Sequence, residues 1–483
     1  MLANNNNMII EQDSDKTNDN SAKLLKNTSI LAIGIICTKI LTFVLIPIFT
    51  NWLSEEEYGM FDLYNTYVAL LIPLSTLACG EAVFRFLIDS PEQQKKKEIL
   101  STSTIIVVVG LTICSIILNF VINEPLLVKR AIIAYVIAEV LNSFLLCYIR
   151  SERRIIFYAQ INIYALAFIG VFVTIFVYKM QLGLAGILLG YAAAYGLCDI
   201  LILVVTPLLK YVRIQFFSKI TAKEILVYSL PLIPNTIGWW IMNVSDRTII
   251  KWILGGTILG IYAIACKIPS LCSSLYSVFQ LSWLQSVSET INDEGKEAFY
   301  NQVLNTLVCT TVSIGIGVLS LNFILFDYIF ASKYSEAYWQ SGLLVPAVVL
   351  SSVSAYLGGI FIGQKKSKRN GITTAISATV NVLSHLALIH FIGIFAASTS
   401  TLIGYSSLVL IRWGIVNKTI KLAINKRTLV IIGAFLYFIA IQYYRIHWLE
   451  WFNILFASVL FLVINKNFFN ILYNKLFRTS PSI

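Results

Sequence analysis

The chain has 483 residues, of which 57% are hydrophobic and only 13% are charged. A soluble protein is nearer to half apolar and a quarter charged, so this composition excludes an ordinary soluble domain. The formal net charge of +11 does not indicate a nucleic-acid-binding protein, because the basic residues form short clusters between long apolar segments, as membrane topology requires.

The apolar segments predict an all-α, polytopic membrane protein with about fourteen transmembrane helices, since one crossing takes about 20 mostly apolar residues. The predicted spans are 28–50, 59–84, 99–122, 131–149, 155–178, 184–207, 225–253, 258–283, 298–324, 341–363, 371–391, 394–416, 428–446 and 449–465. Polar ends over 1–27 and 466–483 are expected to be cytosolic tails, the first of them disordered.

The spans divide into two predicted lobes of six helices each, over 28–207 and 225–416, joined by a cytoplasmic linker over 208–224. Two further helices occupy 428–465. A weak internal repeat supports this division, because Trp52 and Trp252 each open a short turn that leads to a Gly-aromatic pair in the next helix. Such pseudo-symmetric bundles are typical of transporters with a path between the two halves.

Lys and Arg residues are distributed unevenly between the two sides. Most lie in segments that are cytoplasmic if the N-terminus is inside. The predicted external turns and the adjoining ends of the spans hold only Lys129, Arg130, Lys179, Lys251, Lys333 and Arg445. This positive-inside pattern predicts that both termini are cytoplasmic, and a missed or extra span would scramble it.

Four cations lie more than two residues from either end of a predicted span. A charge at the bilayer centre costs roughly 2.5–3.5 kcal/mol and usually faces a wet interior. The four cations are Lys39, Arg247, Lys267 and Arg412, the last close enough to the inner face to reach it. The acids within spans are Asp62, Glu81, Glu139, Asp199 and Asp246. Glu81 and Arg85 are four residues apart and are predicted to pair on one helix face, as a structural pair or as part of a path.

Polar residues form stripes at helical spacing in three of the spans. In span 7 the stripe is Asn235, Trp239, Asn243 and Asp246, in span 8 it is Lys267, Ser270, Ser274 and Ser277, and in span 11 it is Thr374, Ser377, Asn381, Ser384 and His385. Such stripes serve helix packing or line a water-filled cavity, and those that carry charges favour the cavity. His385 is either a proton relay or a hydrogen-bonding group that is satisfied in the core.

No catalytic motif occurs in the chain. The sequence has no Walker A, HExxH or GxSxG pattern, and its eight cysteines form no CxxC pair. We therefore expect neither an enzyme nor a bound metal or cofactor.

Short motifs occur in a characteristic order along the chain. They are PIFT (47–50), LSEEEYGMFDL (53–63), EAVFRF (81–86), SLPLIPN (229–235), SDR (245–247) and GIY (260–262). In order and spacing they resemble polysaccharide flippases of the Wzx type, within the multidrug/oligosaccharidyl-lipid/polysaccharide exporter superfamily. The span layout is similar over the whole chain.

The resemblance implies a bacterial cytoplasmic-membrane protein that exports undecaprenyl-pyrophosphate-linked oligosaccharide for capsule, O-antigen or a similar polymer. The implied partners are this lipid-linked substrate, membrane lipid and polysaccharide polymerase machinery. The residues expected to line its substrate path are Lys39, Arg85, Arg247, Lys267, Asn235 and Asn243. Those expected to act as counter-charges or in ion coupling are Asp62, Glu81, Glu139 and Asp246.

Two other functions are compatible with the sequence. A multidrug antiporter of the same superfamily is usually a twelve-span protein in which acids dominate the binding site, so fourteen spans and Lys39 argue against it. A polysaccharide polymerase or ligase typically carries a long external loop, whereas the longest external segment of this chain, around 327–340, is short.

Overall fold

The computed structural model describes residues 37–89, 92–291 and 293–464, and its regular secondary structure is entirely helical within these ranges. The tails predicted over 1–27 and 466–483 lie outside the described residues. The first predicted span is described from Cys37 onward.

The helices of the first half of the chain are α1 (Cys37–Trp52), α2 (Glu55–Ser75), α3 (Cys79–Asp89), α4 (Gln93–Val121), α5 (Leu126–Ser151), α6 (Ile155–Val173), α7 (Gly183–Val205), α8 (Leu208–Tyr211) and α9 (Lys219–Ser229). Those of the second half are α10 (Ile233–Ile253), α11 (Gly256–Ala265), α12 (Lys267–Thr290), α13 (Lys296–Ile324), α14 (Ser341–Gly363), α15 (Ser367–Ile392), α16 (Phe395–Val416), α17 (Lys426–Ile441) and α18 (His447–Ile464). Short π or 3₁₀ turns extend α6 and α13 and precede α10 and α14.

Each predicted span coincides with one of these helices or with two consecutive ones, which confirms the all-α, polytopic class. Nine of the described helices are long and apolar enough to cross a membrane, and α2 with α3 makes a tenth if this pair, bent by 56°, is one span. The other four predicted spans are helical where they are described, but their helices are shorter or more polar, so fourteen crossings remain a prediction.

The outward surfaces of these helices are apolar. In α4 only 11% of the most hydrophobic segment is buried within the protein. Near the end of α4, Phe120 is 81% exposed and Val121 is 70% exposed. Large apolar side chains in this number have no place in water, so these surfaces face lipid.

Helix packing divides the chain into two compact units. The first contains the described residues up to Leu45 and Val68–Ile233, and the second contains Ile46–Tyr67 and the chain from Pro234 onward. The division thus falls inside α1 and α2, and it groups 46–67 with the second half of the sequence. The predicted lobe boundaries at 207 and 225 stay a prediction.

A backbone break separates α2 from α3 within the first unit. Leu77 and Ala78 both have positive φ angles, of 50° and 54°, which are uncommon for residues other than glycine. Pro73 lies one turn earlier in α2, and its carbonyl accepts from the Ala78 amide at 2.9 Å. The 56° bend therefore has a local cause in the sequence.

The core of the second unit is centred on Trp283 of α12. Its indole ring stacks on Tyr356 of α14 at 4.4 Å between centroids, and its Nε1–H donates to the Tyr356 carbonyl at 2.9 Å. The Tyr356 hydroxyl donates in turn to the Tyr300 carbonyl of α13. These buried aromatic residues join α12, α13 and α14 and satisfy their own polar atoms.

Candidate functional site

The second unit holds a buried cluster of four charged side chains, which we call the charge cluster. It consists of Asp62 in α2, Asp246 and Arg247 in α10, and Lys267 at the start of α12. Asp62 and Asp246 are almost fully buried, and the side chains of Arg247 and Lys267 are 12% and 22% exposed. Two acids and two bases give the cluster no net formal charge.

Asp62 is the acceptor that both cations share. Its Oδ2 accepts from Arg247 Nε at 2.8 Å, and its Oδ1 lies 2.5 Å from Lys267 Nζ. Charge-assisted pairs of this geometry are the strong ones among protein hydrogen bonds. A single carboxylate therefore links α2 to both α10 and α12.

Asp246 completes the charge cluster on the other side of Arg247. Its Oδ1 lies 3.5 Å from Arg247 Nη1, and its Oδ2 accepts from the hydroxyl of Tyr262 in α11. Tyr262 is fully buried, and its ring also lies 6.0 Å from the Arg247 guanidinium carbon. Every acid of the cluster thus has a cation and at least one further donor.

Two glycines allow α2 to approach α11 closely enough for these contacts. A Cβ atom at Gly59 would lie 2.5 Å from the Gly260 amide nitrogen, and a Cβ at Gly260 would overlap the Glu55 carbonyl oxygen. These are the glycines of the two Gly-aromatic pairs in the internal repeat. Asp62 follows Gly59 by three residues and therefore lies on the same face of α2.

Further contacts anchor α2 along this face. The Trp240 indole donates to the Thr66 carbonyl at 2.7 Å, and the Tyr67 hydroxyl lies 3.0 Å from the Thr248 hydroxyl. Toward the helix start, Lys251 Nζ lies 3.6 Å from the exposed Glu56 carboxylate. The charge cluster is thus enclosed by neutral hydrogen bonds on one side and an exposed ion pair on the other.

An uncompensated charge in this position would be costly, because burying an ion costs several kcal/mol and partners must offset it. The observed arrangement offsets the cations with acids of the same unit. An anionic ligand that reached Arg247 and Lys267 would have to compete with Asp62 for the same donors. Binding of an anion at this site would therefore be an exchange with Asp62.

The structure brings together four of the residues predicted for the site, namely Asp62, Asp246, Arg247 and Lys267. Asn235 and Asn243 lie in α10, but their side chains lie outside the part of the structure that is described. Lys39 and Arg85 belong to the first unit and are exposed. The site roles of all these residues remain predictions.

Glu81 has a partner that its spacing does not reveal. Its Oε2 lies 3.4 Å from Arg150 Nη2 of α5, a long-range pair within the first unit. The Arg150 guanidinium also lies 4.0 Å from the ring of Phe84. The helical spacing of Glu81 and Arg85 therefore does not by itself give the contacts of Glu81.

Glu139 lies in a different environment, between α5 and α7 of the first unit. Tyr135 is hydrogen-bonded to its carboxylate, whereas Oε2 is buried without a partner among the described residues. The second acid of this region, Asp199, accepts from Asn142 Nδ2 at 2.9 Å. Tyr135 and Asn142 are both neutral. Neither Glu139 nor Asp199 therefore has a counter-ion among the described residues.

Sequence reasoning missed the role of Tyr262 in the charge cluster. Its only signal was its position in the GIY motif, two residues after Gly260. The pairing of Arg247 and Lys267 through one acid was also missed, because Asp62 lies 185 and 205 residues away from them.

Comparison with known protein families shows to which family the chain belongs. The family model described as "Polysaccharide biosynthesis protein" matches residues 24–284, which is more than half of the chain and includes the whole charge cluster. The chain belongs to this polysaccharide biosynthesis family. No curated protein matches the sequence.

Solved structures with a similar fold are transporters. The lipid II flippase MurJ, in an inward closed conformation, is 14% identical with a TM-score of 0.66, covering 93% of this chain and 99% of that one. An inward-facing MATE-family multidrug resistance transporter of the MOP superfamily is 13% identical with a TM-score of 0.64, covering 83% and 99%. The MATE transporter VcmN from Vibrio cholerae is 12% identical with a TM-score of 0.58, covering 82% and 95%. This member of the polysaccharide biosynthesis family therefore has the fold of these transporters.

Proposed function

We propose that this protein is a flippase that moves undecaprenyl-pyrophosphate-linked oligosaccharide from the cytoplasmic to the outer leaflet by alternating access. Its product would feed a surface polysaccharide such as capsule or O-antigen. Membership of a polysaccharide biosynthesis family and the flippase and exporter folds support a transported saccharide lipid. On this proposal the protein lies in the bacterial cytoplasmic membrane, with both termini in the cytoplasm.

The observation that carries the proposal is the sharing of Asp62 by Arg247 and Lys267. A diphosphate that enters a low-dielectric cavity loses its hydration, and cations must replace that hydration. Two adjacent cations on one acid form a site that a diphosphate, with more negative charge than one carboxylate, can take over. We infer that the substrate headgroup displaces Asp62 during transport.

The remaining predicted residues have roles that follow from their chemistry. Lys39 and Arg85 would add positive charge along the path, and Asn235 and Asn243 would offer hydrogen bonds to sugar hydroxyl groups. Glu139, for which no counter-ion is found in the described ranges, would take part in ion coupling rather than balance a cation. Glu81 would act as a counter-charge through Arg150.

The test is a sidedness assay in a deletion strain. Lipid-linked oligosaccharide is probed with an impermeant sugar-specific reagent on spheroplasts and on inside-out vesicles. We expect the deletion to trap the saccharide on the cytoplasmic face and the wild-type gene to restore it to the outer face. Unchanged sidedness, in a strain without a redundant transporter, would overturn the proposal.

Single-residue variants connect this assay to the charge cluster. Arg247→Ala and Lys267→Ala should each reduce export roughly tenfold or more, since a charge-assisted hydrogen bond contributes about 1.5–3 kcal/mol. Lys251→Ala is the matched control, because Lys251 pairs with an exposed acid outside the cluster. All variants are compared at equal amounts of protein in the membrane.

A cation-coupled multidrug antiporter is the second candidate function. The buried acids Glu139 and Asp199, which have neutral hydrogen-bonding partners, are the observation that favours it. The same deletion strain separates the two functions, because loss of an antiporter alters drug resistance and leaves lipid-linked saccharide where it was.

A further inference from the structure

His385 is a buried titratable residue that the charge cluster does not include. It lies in α15 with 0% of its surface exposed, and neither Nδ1 nor Nε2 has a hydrogen-bond partner among the described residues. A neutral imidazole carries one donor and one acceptor, and buried polar atoms are nearly always paired. Two unpaired atoms on one buried ring therefore make His385 a candidate for a functional site.

The neighbouring residue on the same helix face has the same property. Asn381 precedes His385 by one turn, is 2% exposed, and its Oδ1 is also unpaired among the described residues. A Cβ at Gly404 of α16 would lie 2.9 Å from the Asn381 Cβ, so the two helices are in close contact at this point. The unpaired atoms are thus held in a well-packed region and not at a loose surface.

Asp246 of the charge cluster is the acid that acts on His385. Helices α10 and α15 pack through Ile249 and Ile389, which belong to one buried apolar cluster with Ala396. Asp246 lies one turn before Ile249 on α10, and His385 lies one turn before Ile389 on α15. Asp246 interacts electrostatically with the His385 ring.

The other helices packed around His385 bring no second acid among the described residues. Helix α16 contributes Tyr405, whose hydroxyl also lies in the field of Asp246, and Arg412, whose guanidinium is held by Thr373 and Thr374. The ionisable group of α14 is Tyr356, which is engaged with α13. Among the described residues, Asp246 is therefore the acid that acts on the His385 ring.

We propose that His385 is a proton-binding site and that its protonation releases Arg247 to bind an anionic headgroup. The proton comes from hydronium in the solvent: one of its O–H bonds breaks and leaves a water molecule, and an N–H bond forms at the ring nitrogen that lacks a proton. An imidazolium at this position attracts Asp246, which otherwise contacts Arg247 at 3.5 Å. The charge cluster together with His385 then has one net positive charge, which favours a diphosphate over Asp62.

This inference rests on the proposed function for its ligand and adds proton coupling to it. Proton uptake and anion binding at neighbouring sites must assist each other equally, by thermodynamic linkage. Affinity for a diphosphate should therefore rise as the pH falls through the range in which histidine titrates. We expect a rise of roughly 3- to 10-fold between pH 8 and pH 6, since one linked proton permits at most tenfold per pH unit.

The experiment uses the purified full-length protein in detergent and geranylgeranyl diphosphate as the probe. Affinity is measured at pH 6 and pH 8 for the wild type, His385→Gln and His390→Gln. His390 is the matched control, because it lies on the same helix but is exposed. Ionisation of the probe affects all three proteins alike, so differences between them report on His385.

The proposal predicts that His385→Gln loses the additional pH dependence and that His390→Gln keeps it. Equal pH dependence in all three proteins would overturn it. If the wild type binds no diphosphate at either pH, the headgroup site fails, and ¹⁵N-histidine NMR then decides the proton site by itself. The chain has only three histidines, so His385→Gln assigns the resonance. Titration between pH 5 and pH 8 that changes in Asp246→Asn supports the site, and an invariant resonance refutes it.

Discussion

At the residue scale, the central feature is that one carboxylate serves two cations. Asp62 is almost completely enclosed, and both of its oxygens are used by donors from other helices. Removing a buried acid leaves its cationic partners as uncompensated charges in a low dielectric, which is costly. Removing an exposed acid costs little, because water solvates the cation that remains. Individual carboxylates of this protein should therefore differ widely in their effect on stability.

Asp62→Asn should lower the stability of the second unit markedly, by roughly 3–5 kcal/mol, because Arg247 and Lys267 lose their shared acid. Glu56→Gln, at the exposed pair with Lys251, should change it by about 0–1 kcal/mol. The measurement is thermal unfolding in detergent, monitored by the reaction of a thiol dye with cysteines that are buried in the folded protein. Equal melting temperatures for the two variants would contradict the assignment of Asp62 as the structural centre of the cluster.

Arg412 is a second buried cation, and its hydrogen bonds go to neutral acceptors. It is 1% exposed, and it donates to the Ser354 and Asn370 carbonyls and to the Thr373 and Thr374 hydroxyls. The guanidinium thus joins α14, α15 and α16 at one point. The structure encloses Arg412 among these acceptors, and its position relative to the inner membrane face stays a prediction.

Arg412→Lys should destabilise the protein nearly as much as Arg412→Ala. An ammonium group has three donors around one nitrogen and cannot reproduce the planar fork that reaches three helices. Thermal unfolding of the two variants checks this, with Arg427→Lys as the exposed control. A lysine variant as stable as the wild type would show that the charge alone suffices.

At the scale of elements, close helix packing depends on particular glycines. Gly59 and Gly260 permit α2 and α11 to meet at backbone distance, and this contact positions Asp62 beside Arg247 and Lys267. The polar contacts of the site therefore depend on two residues that have no side chain.

Gly260→Ala should abolish export, because its Cβ would overlap the Glu55 backbone and force α2 away from α11. Gly317→Ala in α13 is the matched control, since a Cβ there meets nothing within 4 Å. The sidedness assay, with the amount of membrane-inserted protein measured in parallel, compares them. Normal export by the alanine variant at position 260 would refute the requirement for this close approach.

At the scale of the whole molecule, the orientation in the membrane follows from charge distribution. Glu336, before α14, is predicted to be external, and Lys418, after α16, is predicted to be cytoplasmic. Both side chains are exposed. In a background without native cysteines, Glu336→Cys should react with an impermeant maleimide in intact spheroplasts, whereas Lys418→Cys should react only after permeabilisation. The reverse labelling pattern would show that the protein has the opposite orientation in the membrane.

The sequence by itself determined the membrane class, the helices and the predicted orientation, because hydropathy and positive charge act locally along the chain. It also indicated which buried charges are unusual, since an ionisable residue within an apolar segment is visible without a structure. It did not determine which partner each charge meets. Glu81 pairs with Arg150, and Asp62 bridges two cations that follow it by about 200 residues.

Only the tertiary structure decided these pairings, because they depend on which helix faces come together. Arg412 and His385 show the same limit, since the sequence placed each in a membrane helix but could not say what surrounds it. Arg412 is enclosed by hydrogen bonds, whereas the ring nitrogens of His385 are unpaired within the described residues. Local patterns repeat every few residues, but contacts between distant segments are set by the packing of the whole unit.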